Sequence, residues 1–357
     1  MTEFKFKKIF AENAEQEQWR MLLQFSYPLN IKKSIQNRFD KYSLDEDNIE
    51  TIAGSIAQAF EYFEASRNAS LFISPILLYY GITNLLFGII SLKTGKEVKI
   101  NNHGLSLTVE KGNLKKLGDV IINTSGDKSG AFRIYYDSLC LKNNIQIVPW
   151  QLSEIFKSIP EIKNELESCY DDEFSHCIPV QVVKGKKERL ERIQKSDVLN
   201  INDLDLPSMI EDYQNCYLQP NPTNEYIILR RKINSDEIGY YSLTGHKYLF
   251  LYHLKNNKKI SIPVIVSMFM GLFALCSLSR YYPGIWYRFV QSDSTGEKAL
   301  IDKFLSVCKR FIPNILLNYF NDKHIIFTNE RQGLIEKDLL YTEQEIKQLI
   351  KGELQRY

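Results

Sequence analysis

The sequence predicts an α+β fold that is mainly α-helical. Two observations lead to this prediction. Residues 68–92 and 260–279 contain no charged residue, although 25% of the 357 residues are charged. Between these runs, from about residue 96, helical spacing of the apolar residues gives way to short β-type stretches that are broken by Gly and Asn. We therefore expect a helical core from both ends of the chain, with a β-containing excursion in the middle.

The domain organisation follows from the same two patterns. The sequence contains no internal repeat and no low-complexity linker, so we expect a single domain over residues 1–357. Its expected parts are a helical core at about 10–95 and 260–322, a β-containing insertion at about 96–255, and a charged C-terminal helix at about 340–357.

The two uncharged runs have recognisable helix ends. Ser74 and Pro75 suit the N-cap and first position of a helix, and Gly95 suits its C-terminus. The second run has Pro263 in its first turn and must end before Pro283. Each helix has about 18 to 20 residues by this count, near the lower limit for a membrane span.

Small residues on both helices favour a buried pair over a membrane location. In the first helix Gly81 and Gly88 lie seven residues apart on one face. In the second, small residues recur at steps of four and three, at Ser267, Gly271, Ala274 and Ser277. Because small residues allow two helix backbones to approach closely, we expect the two helices to pack against each other in the core. A membrane-spanning pair is the less favoured alternative.

The remaining elements are predicted from local pattern. Helices are expected at about 10–39, 47–67 and 298–320, the last kinked or divided by Pro313. Strands are expected at about 97–100, 106–109, 120–123, 178–183, 225–231 and 248–254. Pro179 cannot donate a ladder hydrogen bond, so the strand at 178–183 is expected at a sheet edge.

Charge gives little support for a nucleic-acid partner, because the net charge is only +2. The run 184–195 is locally basic, and its candidate nucleic-acid contacts are Lys184, Lys186, Lys187 and Arg189. A charge run of this kind is more often a solvated loop or helix face, which is the interpretation we favour. The N-terminus lacks the apolar core of a secretory signal, and the six cysteines form no C-x-x-C pair, which together favour a cytoplasmic protein with reduced thiols.

Motifs of several enzyme classes are missing. The sequence has no P-loop, no G-x-G-x-x-G, no G-x-S-x-G and no H-E-x-x-H. The acidic cluster 171–173 beside His176 could hold a divalent cation, but as a loop cluster it is expected to be solvated. The sequence therefore indicates no metal site and identifies no cofactor.

Three local motifs carry the candidate ligand-binding residues. They are P-x-x-x-YYG-x-x-N at 75–84, HGL at 103–105 and SRYYPGIW at 279–286. The candidates within them are Tyr79, Tyr80, Asn84, His103, Arg280, Tyr281 and Trp286. Arg280 can clamp an anion, and His103 is the group among them that titrates near neutral pH. The commoner uses, which we favour, are a helix C-cap with an ion pair for Arg280 and a structural turn for His103. For the tyrosines, core packing is the commoner use.

The order of these three motifs resembles the YaaC-like family of bacterial proteins, and the resemblance spans about residues 15–320. It implies a soluble, cytoplasmic bacterial protein and assigns no catalytic residue. Our leading hypothesis is a component of a multi-gene system that binds a partner protein or a small ligand. The alternatives are a hydrolase or nuclease that acts on a phosphate-bearing substrate through His103 and Arg280, and a nucleic-acid-binding protein.

Overall fold

The computed structural model divides the chain into two compact units. It describes residues 6–109, 114–139, 147–170, 175–184, 188–198, 206–210, 216–219, 226–232, 240–241, 247–292 and 295–328. One unit, here called the helical unit, contains residues 13–175 and 255–323. The other, the sheet unit, contains residues 1–12, 176–254 and 324–357. That the chain is a single domain remains a prediction. Of the β-containing insertion expected at about 96–255, residues 96–175 belong to the helical unit.

The helical unit contains most of the helices. Its longer helices are α1 (Ala14–Leu23), α2 (Pro28–Arg38), α3 (Glu46–Arg67), α4 (Ser74–Thr94), α5 (Ala131–Leu139), α9 (Val264–Tyr281) and α11 (Glu297–Asn321). Shorter ones are α6 (Leu152–Lys157), α7 (Lys163–Cys169) and α10 (Pro283–Tyr287). The strands β2 (Leu105–Thr108), β3 (Ile121–Thr124) and β4 (Trp150–Gln151) form an antiparallel sheet in the order β2-β3-β4. The fold class is the predicted one, α+β and predominantly helical.

The sheet unit is built around six antiparallel strands in the order β7-β8-β6-β5-β10-β9. They are β5 (Cys177–Lys184), β6 (Glu188–Gln194), β7 (Cys216–Gln219), β8 (Tyr226–Lys232), β9 (Tyr240–Tyr241) and β10 (Lys247–Phe250). A short helix, α8 (Leu206–Met209), precedes β7. Two further strands, β1 (Phe6–Phe10) and β13 (His324–Thr328), pair in parallel. The chain passes back to the helical unit through β11 (His253–Lys255) and β12 (Lys258–Ile260).

Two charged residues are buried in the sheet unit and stabilise each other. Lys247 Nζ lies 2.6 Å from Glu191 Oε1, and the two side chains are 1% and 0% exposed. A charge is costly to bury unless an opposite charge compensates it, so neither residue could be buried without the other.

Strand β5 has neighbours on both sides, whereas Pro179 led us to expect an edge strand. The first half of the strand, up to Val180, pairs with β10, and the second half, from Gln181, pairs with β6. Pro179 therefore lies where the strand has a paired neighbour on one side, and its missing N–H can face the other.

Other local predictions were wrong or fall outside the described residues. Residues 188–194 form strand β6 and not the expected loop or helix face. Residues 97–100 form no strand. Lys186, Lys187, the acidic cluster 171–173 and the expected helix at 340–357 lie outside the described residues.

The two uncharged runs form α4 and α9, and these helices pack against each other as expected. The Tyr79 ring of α4 lies 5.6 Å from the Phe269 ring and 5.7 Å from the Phe273 ring of α9. By length and composition both helices could cross a membrane, but 67% and 83% of their most apolar windows are buried within the structure. Each is thus enclosed mainly by other parts of the chain.

The role in this contact that was expected of the glycines was wrong. A Cβ atom at Gly81 would meet Phe63, and one at Gly88 would meet Ile56, both of which belong to α3. A Cβ atom at Gly271 would meet Phe304 of α11. The glycines of α4 therefore allow α3 to pack closely against it, and Gly271 allows α11 to pack closely against α9. Aromatic rings lie in the contact between α4 and α9.

Candidate functional site

A cavity of about 230 Å³ opens in the helical unit near the C-terminal end of α9. Four of the candidate residues line it: Tyr79, His103, Arg280 and Tyr281. Its other lining residues are Ser106, Leu107, Phe273, Cys276, Ser277 and Tyr282. None of these ten residues is acidic. The wall therefore combines aromatic surface with the permanent positive charge of Arg280, and none of the ten carries a negative charge to compensate it.

Tyr79 and His103 form the inner polar contact of this cavity. Tyr79 Oη lies 2.7 Å from His103 Nδ1, and Tyr79 is 2% exposed. Burial raises the pKa of Tyr79, so its hydroxyl stays protonated. When that hydroxyl donates to Nδ1, the imidazole carries its proton on Nε2.

The local backbone holds His103 in place. The Asn102 side chain accepts a hydrogen bond from the Gly104 N–H at 2.8 Å, and the His103 carbonyl accepts one from the Phe132 N–H at 3.0 Å. Gly104 has φ +67°, and a Cβ atom there would lie 3.2 Å from Phe132. A glycine is therefore required directly after His103.

Arg280 lies in the last turn of α9 with its guanidinium at the cavity wall. Its Nη1 donates to Tyr80 Oη at 2.7 Å, and its Cζ lies 5.0 Å from the centre of the Tyr281 ring. The guanidinium has five N–H donors, so the bond to Tyr80 orients the group and leaves donors for a ligand.

The charges and burial around the cavity set the protonation states of its neutral groups. Partial burial, with Arg280 nearby, lowers the pKa of His103. Burial raises the pKa of Cys276 to about 11, with Arg280 acting in the opposite direction. At neutral pH the imidazole and the thiol are therefore both uncharged, and Arg280 supplies the positive charge.

Two candidate residues lie elsewhere. Trp286 is buried, and its Nε1 donates to the Leu71 carbonyl at 3.2 Å, which ties α10 to the segment before α4. Asn84 Nδ2 donates to Gln58 Oε1 at 3.2 Å, and Asn84 lines a second cavity of about 540 Å³ between α3, α4 and residues 97–101.

Comparison with known proteins gives one family. The model of the YaaC-like family, described as YaaC-like Protein, matches residues 10–320. This chain belongs to the YaaC-like family. No curated protein and no solved structure matches it. The region that matches the YaaC-like family includes every residue that lines the two cavities.

Sequence reasoning missed several lining residues of this YaaC-like protein. Phe273, Cys276 and Ser277 precede Arg280 by seven, four and three positions, so they share its helix face. The sequence shows this spacing, but in a helix that is apolar on all sides it does not show which face borders a cavity. Ser106 and Leu107 come from β2, and only the tertiary fold brings them to α9.

The side chains that the structure describes include no group of three or more His, Cys, Asp or Glu residues that could hold a metal ion. Residues 171–173 lie outside this description. The groups that the structure places at the first cavity include Arg280, His103, Tyr79 and neighbouring aromatic rings.

Proposed function

We propose that this protein is a cytoplasmic ligand-binding component of a multi-protein system, and that it binds a small anionic ligand in the cavity beside Arg280. The observation that supports this most directly is the position of Arg280 on a concave wall whose described residues include aromatic rings and no acidic residue. A guanidinium in such a place pairs well with a carboxylate or a phosphate.

The other lining groups restrict the size and shape of that ligand. A volume of about 230 Å³ is below the usual range for drug-sized ligands, so a small metabolite is expected. Phe273 and Tyr281 offer flat surfaces for a ring, and His103 and Ser277 offer neutral hydrogen-bonding groups. The expected ligand therefore combines one anionic group with a small planar or apolar part.

Isothermal titration of the full chain with phenyl phosphate tests this proposal, with phenol and inorganic phosphate as the separated parts. We expect phenyl phosphate to bind most tightly, and Arg280→Gln to weaken it by roughly 10- to 100-fold, the usual effect of losing a charged hydrogen bond. Arg288→Gln is the matched control, since Arg288 is exposed and does not line the cavity. Equal affinity of wild type and Arg280→Gln, or no binding of either phosphate compound, would contradict the proposal.

A hydrolase that acts on a phosphate-bearing substrate is a second candidate, because His103 and Arg280 line the same cavity. The lowered pKa of His103 keeps the ring neutral, as a general base requires, while the raised pKa of Cys276 argues against a thiolate nucleophile. Turnover of p-nitrophenyl phosphate that disappears in His103→Asn would favour this candidate, and binding without turnover would favour the first.

Nucleic-acid binding is a third candidate. Strands β6 and β8 pair so that Arg189 lies opposite Arg231, and Arg189 also lies opposite Lys184 of β5. The register thus brings together two basic segments that are far apart in the sequence. Binding of a labelled oligonucleotide should then weaken steeply with salt, and a flat salt response would exclude this function.

A further inference from the structure

We propose that the second cavity, bounded by α3, α4 and residues 97–101, binds a neutral, hydroxyl-rich small molecule such as a sugar. This site is separate from the Arg280 cavity, and its argument does not depend on the function proposed above. Its volume of about 540 Å³ lies within the usual range for small-molecule sites.

One face of each helix forms the walls of this cavity. From α3 come Asn48, Thr51, Ile52 and Ser55, and from α4 come Thr83, Asn84, Phe87 and Ser91. Within each helix these positions are one, three or four residues apart, a spacing that keeps each set on one face. Both faces carry mainly hydroxyl and amide side chains, which suit a ligand that makes several hydrogen bonds.

The hydrogen bonds already present decide which polar groups remain available. Thr51 Oγ1 donates to the Asp47 carbonyl, and Thr83 Oγ1 donates to the Tyr79 carbonyl, each at 2.8 Å. Asn84 uses an N–H for Gln58. The two threonines and Asn84 therefore offer oxygen lone pairs to the cavity, and such a wall favours ligands that donate hydrogen bonds, as sugar hydroxyls do.

Ser91 provides a second, independent observation. It lines the same cavity and is 0% exposed, and its Oγ has no hydrogen-bond partner among the described residues. A buried hydroxyl without a partner is unfavourable, and a ligand hydroxyl that reaches it would remove that cost.

The charges of the lining favour a neutral ligand. Two of the lining residues are charged, Glu97 and Lys99. Lys99 Nζ lies 3.2 Å from Glu97 Oε2, so the two charges compensate each other. No unpaired cation is present among the described lining residues to attract an anion, in contrast to the Arg280 cavity. Leu44, Ile52 and Phe87 add apolar surface for the C–H face of a sugar ring.

Saturation-transfer NMR and isothermal titration of the full chain test this inference. The probes are glucose, N-acetylglucosamine, ribose and trehalose, with glucose 6-phosphate and glucosamine as charged comparators. We expect at least one neutral sugar to bind more tightly than its charged comparators. The near-isosteric double variant Thr83→Val/Asn84→Leu should weaken that sugar by about tenfold or more, because two hydrogen bonds are lost.

Two controls make the result specific. Thr94→Val removes the same type of hydroxyl from α4, since Thr94 Oγ1 also donates within the helix, to the Ile90 carbonyl, but Thr94 does not line the cavity. Thr94→Val and Arg280→Gln should both leave sugar affinity unchanged. If the double variant unfolds, Thr51→Val on the exposed side of α3 replaces it and should weaken binding severalfold. The inference is overturned if none of the four sugars binds, if a charged comparator binds best, or if the lining variants bind as wild type does.

Discussion

At the scale of single residues, the pair Tyr79 and His103 links the cavity to pH. Because the pKa of His103 is lowered in the folded state, the unfolded chain binds a proton more readily at this position. The contribution of His103 to stability is therefore complete above the ordinary histidine pKa of about 6.5 and is lost as the pH falls toward the lower folded value.

We predict that wild type loses more thermal stability between pH 8 and pH 5.5 than His103→Asn does. Asn keeps an acceptor for Tyr79 but does not titrate, so the difference between the two curves isolates this group from the other four histidines. Melting temperature measured across that range is the test. If melting temperature falls with pH equally in wild type and His103→Asn, then His103 has the same pKa in the folded and unfolded chains, and the prediction is wrong.

At the same scale, the sequence identified the chemical groups of the first cavity more readily than their arrangement. Arg280 and His103 stood out because their chemistry is distinctive. Cys276 and Phe273 did not, because nothing in an uncharged helix marks the few positions that border a void. Asn84, a ligand-binding candidate in the sequence, donates to Gln58 on the neighbouring helix and lines the second cavity instead of the first.

At the scale of elements, close helix contacts depend on individual glycines. A Cβ atom at Gly88 would lie 2.7 Å from Ile56 Cγ1, and Ile56 is 0% exposed, so the side chain has little room to move. A Cβ atom at Gly54, in the middle of α3, would meet nothing within 4 Å. The two positions thus offer a matched pair of substitutions in neighbouring helices.

We predict that Gly88→Ala and Gly54→Ala change stability in opposite directions. Replacing glycine by alanine inside a helix raises the free energy of unfolding by about 0.5–1 kcal/mol. Gly54→Ala should show this full increase. At Gly88 overpacking costs about 1–3 kcal/mol and outweighs that gain. Urea denaturation measures both changes. A stabilised Gly88→Ala would mean that α3 and α4 are farther apart than the structure shows.

At the scale of the whole molecule, the burial of α4 and α9 leads to a prediction about partitioning. Both helices could span a membrane by length, yet most of their apolar windows are covered by other parts of the chain. We therefore expect the full chain, expressed without detergent, to stay in the supernatant after ultracentrifugation. Recovery in the membrane fraction, resistant to high salt and alkaline washing, would contradict this expectation and the cytoplasmic location proposed above.

The sequence by itself determined the predominantly helical α+β class, the C-terminal ends of the two uncharged helices and the family resemblance. The N-terminal ends were slightly wrong: Ile73 and not Ser74 is the N-cap of α4, and Pro263 is the N-cap of α9 and not part of its first turn. These features are local, because capping residues, prolines and apolar spacing act within a few turns of the chain. The family resemblance rests on the order of three motifs along the chain, which can be recognised without knowing any tertiary contact.

Tertiary structure alone decided which helix faces meet, where the two cavities lie and how basic strands are paired. Gly81 and Gly88 could have faced any neighbouring helix, since a small residue permits close approach without choosing its partner. The choice depends on the fit of large side chains such as Phe63, Ile56 and Phe304, which lie on other elements. Such packing is a property of the assembled interior, and the local pattern of a single segment does not contain it.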